Sequence, residues 1–441
     1  MNIETAIAFL LETLPAKCEM FDLVAGAASS EGLSVFQGKV QDTELSNSVG
    51  IGVRVFKDGR PGYAFTERLS EEALSQMAMD ALSHTQFTND LGLRLPGPQL
   101  EGRETVLFHE AVEKVTLEQM ADLCLDIERR VLASEEVENV PYLGASRSVS
   151  EFHLANSEGV HYSRRGSFLS AGAGTVARRG EVRKLGVYNQ TVFDGADFSA
   201  EKIAGESVRR ARSLLGAKPI SGGIYPVVFS EDVSGKIVNM FSQAFSADSV
   251  QKGTSRLNGQ VGCEISAPCF TLVNDPTRAD LPGFSTFDSE GTPTRRQELI
   301  ANGRLTGFLH NLETAAREGV ASTGNAERSY AGHVSCGFQN LIVEPGGFST
   351  EALTSLFPRS LLITKLEGGS GCNAVSGELS IGAQGFYCEY GAPSFPVEGL
   401  TLNTNFFDML RNIEAVGSDY NDSYSMIRVP AFAVSEISVS N

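Results

Sequence analysis

The chain has 441 residues, more than one ordinary hydrophobic core serves, so we expect two or three domains. Its 54 acidic residues outnumber its 36 basic ones and give a formal net charge of −18. A surface this acidic repels phosphate backbones, so we expect no direct contact with nucleic acid. The sequence contains no apolar run long enough for a membrane-spanning helix, which excludes a conventional integral membrane protein.

The compartment of the protein is indicated by its first residues and by its cysteines. Met1–Ala6 has no basic stretch before an apolar core, so it is typical of a helix start rather than a secretory signal. The seven cysteines are odd in number and widely spaced, and no Cys-x-x-Cys pair occurs among them. This pattern favours reduced, mostly buried thiols, and we expect a cytoplasmic protein.

The first part of the chain predicts a helix, a strand hairpin and a second helix. A short amphipathic helix is predicted over 4–14. Val49–Val55 has apolar residues at every second position, the period of a strand, and Asp58-Gly59 supplies the positive-φ turn of a hairpin that ends near Thr66. Ser70 is typical of a helix N-cap, and the apolar residues that follow it have helical spacing.

The next segment predicts a linker, two helices and a group of strands. Gly92–Gly102 is rich in glycine and proline and is predicted to be a linker. Thr116 and Gln119 form a capping-box pattern at the start of a helix. Strands and turns are predicted over 137–192, and a further helix over Ser199–Leu215.

The predicted domain boundary lies at Pro219–Gly223, just after this helix. It divides the chain into an N-terminal domain, 1–216, and a strand-rich C-terminal domain, 217–441. The linker near 92–104 allows two subdomains within the first of these.

The C-terminal part predicts strands joined by glycine-rich loops, with few helices. A strand over Tyr225–Phe229 precedes a helix over 231–245, and Asn302-Gly303 is typical of a hairpin turn. A last helix is predicted from Asn405 to near Gly417, followed by a terminal strand over 431–439. Because strands and helices mix without regular β-α-β alternation, the predicted fold class is α+β.

A zinc site of the usual helical kind needs two histidines one turn apart with a glutamate beside the first. The six histidines are His84, His109, His153, His161, His310 and His333. None has a second histidine four or five residues further on. His109-Glu110 begins like such a motif, but Glu113 and Lys114 stand where the second histidine should be, so we interpret it as a coincidence.

Several short motifs carry a resemblance to a known family. They are Arg54-Val55 with Asp58–Arg60, Phe287–Gly291, Arg295-Arg296, Leu299–Gly303, Ser322–Ala326, Val375–Glu378, Gly382–Phe386, Phe395–Gly399, Asn405–Leu410 and Ala415–Asp419. On these motifs the chain resembles the TldD/PmbA family, cytoplasmic bacterial and archaeal proteins linked to a two-subunit metalloprotease and also labelled modulators of DNA gyrase. Tyr390-Gly391-Ala392 departs from the family's frequent Asn-Gly-Glu, a change in turn chemistry.

The resemblance also implies where zinc would be held in metal-bearing members. These carry a His-Glu-x-x-x-His helix after the first C-terminal strand and a cysteine close to the C-terminus. The matching segments here, Val233–Phe245 and Ser418–Val429, contain neither histidine nor cysteine. The chain is therefore more similar to the metal-free subunit, called PmbA or TldE, and we expect it to have no catalytic residue, metal ligand or cofactor of its own.

The function that the resemblance implies is that of a non-catalytic subunit. A TldD-like partner in a heterodimer would supply the zinc, and the complex would degrade or trim unfolded peptides. In isolation the chain could form a homodimer. Two alternatives stay open: a stand-alone homodimeric peptide-binding protein, and a self-sufficient hydrolase that uses Asp288 and Glu290 or the thiol of Cys336 near His333.

Six residues within the family motifs are candidates for lining a peptide channel. Asp288 and Glu290 are two apart, so on a strand their carboxylates would share one face as an acid/base pair or a cation site. They could instead cap a helix or pair with Arg295 or Arg296. Arg295 is a further candidate. The last three, Ser322, Thr323 and Asn325, lie in one polar turn, where their side chains could bind a peptide backbone or form hydrogen bonds within the turn.

Overall fold

A computed structural model describes residues 1–100 and 104–441 of the chain. The helices are α1 (Ile3–Thr13), α2 (Glu71–His84), α3 (Glu110–Lys114), α4 (Leu117–Leu132), α5 (Ala200–Arg212), α6 (Glu231–Met240), α7 (Ala247–Gln251), α8 (Leu312–Glu318), α9 (Thr350–Thr354) and α10 (Phe406–Arg411). The strands of the first half are β1 (Met20–Phe36), β2 (Lys39–Lys57), β3 (Arg60–Thr66), β4 (Glu104–Leu107), β5 (Val137–Asn156), β6 (His161–Arg179) and β7 (Val182–Val192). Those of the second half are β8 (Gly223–Phe229), β9 (Leu272–Asn274), β10 (Gln297–Ala301), β11 (Arg304–Leu305), β12 (Ala326–Glu327), β13 (Ser335–Cys336), β14 (Leu341–Val343), β15 (Arg359–Glu367), β16 (Glu378–Glu389), β17 (Ala392–Asn405), β18 (Ile413–Val416), β19 (Ile427–Arg428) and β20 (Phe432–Ser440).

The strands of the first half form one long, mainly antiparallel sheet in the order β3-β2-β1-β5-β6-β4, with β7 also paired to β6. The β2–β3 turn has positive φ at Asp58 (51°) and Gly59 (71°), which confirms the predicted hairpin. The far half of β2, Lys39–Gly50, pairs only with β1, because β3 begins to pair at Ile51. Its outer edge is therefore unpaired within the described residues.

Helices cover one face of this sheet. α1 and α2 pack on inward side chains of β1 and β2 such as Phe21, Leu23 and Val53. α4 and α5 pack further along the same sheet, where Leu33 and Tyr188 belong to the buried cluster. Both predicted caps are confirmed, since Ser70 accepts from the N–H of Ala73 and Thr116 forms a full capping box with Gln119.

The second half of the chain is built on two further sheets. In the larger one the order is β17-β16-β15-β8-β20-β18, and β17 also pairs with β20, so the sheet closes on itself. A smaller sheet has the order β11-β10-β9-β14-β19. The largest hydrophobic core lies between them and includes the stacked rings of Phe241 and Phe406, whose centroids are 4.4 Å apart.

The mixture of sheets and helices confirms the α+β fold class, and two helix ends differ from the predictions. The helix predicted over 231–245 ends at Met240, because Phe241 leaves helical geometry (φ −116°, ψ 6°) and a 3-10 turn follows. The helix predicted from Asn405 to Gly417 ends at Arg411. Ile413–Val416 instead pairs with β20, where its apolar side chains are buried in the sheet.

The predicted linker has neither helix nor strand over 92–100, and its residues 101 and 102 lie outside the described residues. No helix in the described part of the chain is both long enough and apolar enough to cross a bilayer.

The two halves meet on the sheet face opposite the helices. There β2 presents Gly50 and Gly52 to Tyr330 of the second half, whose ring lies over Gly50 and whose backbone lies over Gly52. A Cβ atom added at Gly52 would stand 1.9 Å from the Tyr330 carbonyl oxygen, while one added at Gly26 on β1 would meet atoms no closer than 3.6 Å. Only glycine at position 52 allows the halves to approach this closely.

A matched pair of glycine substitutions tests this contact. Gly52→Ala is expected to lower the free energy of unfolding by about 1–3 kcal/mol, because the new methyl group must displace the Tyr330 backbone. Gly26→Ala, on the same face of the adjacent strand, should leave stability unchanged or slightly raised, since alanine loses less backbone entropy on folding. Urea unfolding of both variants measures the difference. Equal stability of the two variants would contradict the close approach.

Candidate functional site

At the junction of the halves, four buried charged side chains form a network that is centred on Arg54 of β2. Its Nε lies 2.9 Å from an oxygen of Asp22 on β1, and its Nη1 lies 2.8 Å from Oε1 of Glu290. Arg328 reaches the other oxygen of Asp22 at 2.5 Å. Arg54, Asp22 and Glu290 have no exposed surface and Arg328 is 5% exposed. Two positive and two negative charges are thus sealed between the first half and the second.

The charge of Arg54 persists in this site although burial opposes it. Burial alone would lower the pKa of Arg54, but the Asp22 and Glu290 carboxylates outweigh that effect and raise the pKa well above its ordinary value. Such an arrangement tolerates poorly the removal of a single partner, because the remaining charge is left buried and uncompensated. The network therefore fixes the register between β2 and the loop that carries Glu290.

Asp288 and Glu290 do not share a cation. Glu290 pairs with Arg54 rather than with Arg295 or Arg296, and its second oxygen accepts the N–H of Leu312 at 2.8 Å, at the start of α8. One oxygen of Asp288 accepts the N–H groups of Glu290 and Thr292, and the other accepts that of Ala326, all at 2.9 Å. Each carboxylate holds local structure, and the helix-capping interpretation fits Glu290.

Asp288 is nevertheless poised to change its charge near neutral pH. Burial and then the nearby charge of Glu290 raise the pKa of Asp288 to about 7, and its three backbone N–H donors only partly oppose this. Asp288 is 2% exposed and forms part of the wall of a cavity of about 350 Å³ between the two halves.

Three of the other candidates form hydrogen bonds with neighbouring segments of the second half, and the fourth is exposed. The Thr323 hydroxyl accepts the His310 N–H at 2.6 Å, and Ser322 donates to the His310 carbonyl at 3.2 Å. Asn325 is fully buried and donates to the Gly337 carbonyl at 3.0 Å. Arg295 is exposed. The structure brings Asn325 and Asp288 to the same loop region, whereas Arg295 lies at the surface.

Cys336 is not placed as a nucleophile. It is buried, its sulfur accepts the Asn311 N–H at 3.2 Å, and burial raises the pKa of its thiol to about 11. His333 packs instead against the ring of Tyr63, with centroids 4.4 Å apart. This geometry removes the support for a hydrolase based on the Cys336 thiol.

The two segments expected to correspond to the zinc-binding parts of metal-bearing relatives do meet in space. The Ser234 hydroxyl of α6 donates to the Val429 carbonyl at 2.8 Å. Beside this contact lies a cavity of about 190 Å³ lined by Lys236 and Asn239 of α6 and by Asn421, Ser423 and Ser425.

The donor groups in this cavity do not fit zinc, which is bound by imidazole, thiolate and carboxylate groups. Amines, amides and hydroxyls dominate the wall, and its two carboxylates are engaged elsewhere. Asp232 pairs with Arg210 at 2.9 Å, and Glu231 accepts the Thr350 hydroxyl at 3.2 Å. Across residues 1–100 and 104–441, no cluster of three or more His, Cys, Asp or Glu side chains could hold a metal ion.

Sequence reasoning did not assign a site role to Asp22, Arg54, Arg164 or Arg328. Arg54 carried a signal, since it shares one face of β2 with Gly50 and Gly52, where an apolar or small residue would be expected. The other three come from distant segments, and no local pattern predicts that they converge.

Comparison with known proteins identifies the family of this chain. Models described as PmbA/TldA metallopeptidase domain 1, central domain and C-terminal domain match residues 22–84, 110–215 and 222–441. The chain belongs to the TldD/PmbA family. Its relatives include Metalloprotease PmbA of Escherichia coli O157:H7, 25% identical over 423 residues that cover 95% of this chain and 91% of that protein. A protein named Metalloprotease from Methanothermobacter thermautotrophicus is 25% identical over 429 residues, covering 95% and 93%.

Solved structures show the same fold. A proposed modulator of a DNA gyrase from Thermotoga maritima superposes with a TM-score of 0.90 at 27% identity, covering 100% of both chains. TldE from Thermococcus kodakarensis gives a TM-score of 0.87 at 20% identity, covering 99% of this chain and 100% of that one. The second likeness concerns the fold alone. Members of the TldD/PmbA family are thus described both as metalloproteases and as gyrase modulators.

The buried network of this family member can be tested by removing its central charge. Arg54→Met should lower the free energy of unfolding by about 3–5 kcal/mol, because Glu290 and Asp22 lose a buried partner. Adding Glu290→Leu should restore part of the loss, since one stranded carboxylate is then gone. The exposed Arg60→Met should change stability by less than about 0.5 kcal/mol. Chemical unfolding compares them, and a double variant no better than Arg54→Met would count against the network.

Asp288 predicts a pH dependence of defined sign. Its folded pKa of about 7 exceeds the unfolded value of 3.8, so its contribution to stability is full below the unfolded pKa and is lost as pH rises through about 7. The stability advantage of the wild type over Asp288→Asn should therefore shrink between about pH 4 and pH 8. Thermal or urea unfolding across this range measures it.

Asp280 provides the control with the opposite sign. The Arg278 guanidinium lowers the pKa of this exposed carboxyl below its ordinary value of 3.8, so any advantage over Asp280→Asn should grow with pH only below that value and stay constant between about pH 4 and pH 8. An advantage over Asp288→Asn that stays constant or grows with pH would show that Asp288 is charged throughout.

Proposed function

We propose that this chain is the metal-free subunit of a TldD/TldE-like metalloprotease complex. The observation that carries the proposal is the cavity between α6 and 421–429. The scaffold that brings the two segments together is present, and the side chains that could hold zinc are replaced by amine, amide and hydroxyl groups. Names of relatives such as Metalloprotease PmbA support a role in proteolysis.

In this proposal a TldD-like sister subunit supplies zinc and the general base. This chain encloses the site, and unfolded peptides are the substrates. The unpaired outer edge of β2 over Lys39–Gly50 supports a peptide role, because its backbone N–H and C=O groups can add an extended strand. Burial of the network around Arg54 supports a chain that acts as one rigid body rather than as two separate halves.

Reconstitution tests the assignment. The isolated chain should contain no stoichiometric zinc and should not hydrolyse an unfolded test peptide, because it has no metal to activate water. Co-expression with a sister chain that carries the His-Glu-x-x-x-His helix should give a heterodimer with zinc and peptidase activity. Replacing the histidines of the sister chain should abolish turnover while the heterodimer persists.

Two other outcomes would speak against the subunit assignment. Stoichiometric zinc and peptide turnover in the isolated chain would overturn the proposal. A stable homodimer that binds peptides and never associates with such a sister would instead favour a stand-alone peptide-binding protein.

A further inference from the structure

The cavity of about 350 Å³ between the two halves has one charged wall and one apolar wall. Phe152 and Arg164 come from the β5–β6 face of the first half, and Asp288 comes from the loop held by Glu290. The apolar wall is supplied by the second half and consists of Phe284, Phe338 and Met426. Its volume lies within the range of small-ligand sites, about 300–1,000 Å³, which suits a short segment of a ligand.

Two arginines, Arg164 and Arg165, line this cavity, and most of the hydrogen-bonding capacity of Arg164 is unused within the described residues. Its guanidinium lies 4.3 Å over the Phe152 ring and donates a single hydrogen bond within the described protein, to Ser285 Oγ at 3.3 Å. No described carboxylate is within 4.0 Å of it. The negative charges that act on it from a distance are Asp288 and Glu327, and burial lowers its pKa in spite of them.

The adjacent Arg165, on the same strand, is an arginine with an ion-pair partner and an aromatic contact. Its side chain projects from the opposite face of β6, lies 3.1 Å from Glu151 and packs at 4.2 Å on the ring of Phe108. Arg165 therefore has a counter-ion, whereas Arg164 has none among the side chains that the structure describes.

Asp288 does not act as a counter-ion for Arg164. Both of its oxygens are taken by backbone N–H groups, and its raised pKa leaves part of the population neutral near pH 7. The loop that holds it is fixed by the network around Arg54, so it cannot turn toward Arg164 without breaking buried bonds. In the part of the chain that the structure describes, the cavity thus offers guanidinium donors without a charged partner beside an aromatic surface.

We propose that Arg164 binds a peptide carboxylate in this cavity, and that the apolar wall receives the neighbouring side chain. A planar guanidinium with two parallel N–H donors matches a carboxylate in bidentate geometry. The carboxylate is either the C-terminus of a peptide or the side chain of an acidic residue, and the chemistry at Arg164 is the same. This inference rests on the proposed function, since it assumes that the protein acts on peptides.

Three fluorescent peptides test the proposal with the full-length chain, each labelled at its N-terminus. The first is Ala-Ala-Ala-Phe with a free carboxylate, the second is its C-terminal amide, and the third is the amide of Ala-Glu-Ala-Phe. Fluorescence anisotropy should show binding of the first or the third, and weaker binding of the second by about tenfold or more. Preference for the first assigns the C-terminus, and preference for the third assigns an acidic side chain.

Arg164→Gln should reduce binding of the preferred peptide by about tenfold or more and leave the neutral amide unaffected. Arg164→Lys should retain part of the affinity, because it keeps the charge and loses the fork. Arg178→Gln is the matched control and should bind as the wild type does, because Arg178 is an exposed arginine of β6 that pairs with Glu138 and does not line the cavity. Melting temperatures of all three variants establish that they fold.

Equal binding of the charged peptides by Arg164→Gln and wild type would overturn the inference, as would equal losses in Arg164→Gln and Arg178→Gln. Failure of the wild type to bind either charged peptide at millimolar concentration would also overturn it. None of these results affects the subunit assignment, which depends on zinc content and reconstituted turnover. Zinc and turnover in the isolated chain would overturn that assignment and leave the binding result standing.

Discussion

Burial of the Arg54 charge between the two halves is the constraint on which the rest of the site depends. A guanidinium without solvent contact requires counter-charges within hydrogen-bonding distance, and Asp22 and Glu290 supply them from opposite halves. Glu290 also receives the N–H of Leu312, so α8 is tied to the same point. The loop from Asp288 to Glu290 is thereby held as one wall of the cavity that contains Arg164. Of the two interpretations of Asp288 and Glu290, an acid/base or cation pair and a structural role, the contacts favour the structural role.

In the C-terminal half, the two segments that the family resemblance associates with zinc lie against each other. α6 and the segment around Val429 are joined by a buried hydrogen bond from Ser234, so their approach does not depend on a metal ion. The facing surfaces carry Lys236, Asn239 and Asn421. A primary ammonium group repels a cation, and amide oxygens are poor ligands for zinc. These side chains are the observation on which the proposed subunit role rests.

Local patterns in the sequence predicted local structure well. Asp58-Gly59, Ser70 and the Thr116–Gln119 capping box each determine a turn or helix end through bonds within a few residues. The prediction that the last helix continues to Gly417 was wrong, because Ile413–Val416 is stabilised as a strand by pairing with β20. The spacing of residues in the sequence does not reveal this partner strand. Local patterns could not predict the pairing of Glu290 with Arg54 either, because 236 positions separate the two residues in the sequence (290 − 54). Gly50 and Gly52 did indicate that another segment approaches β2 closely. No local pattern assigns a role to Arg164, because that role depends on which side of β6 the residue faces.

The measurement that tests the central claim most directly is anomalous diffraction at the zinc absorption edge from crystals of this chain bound to its sister subunit. The account predicts a strong zinc peak within the sister subunit and none between α6 and residues 421–429 of this chain. A zinc peak in that cavity, coordinated by side chains of this chain, would contradict it.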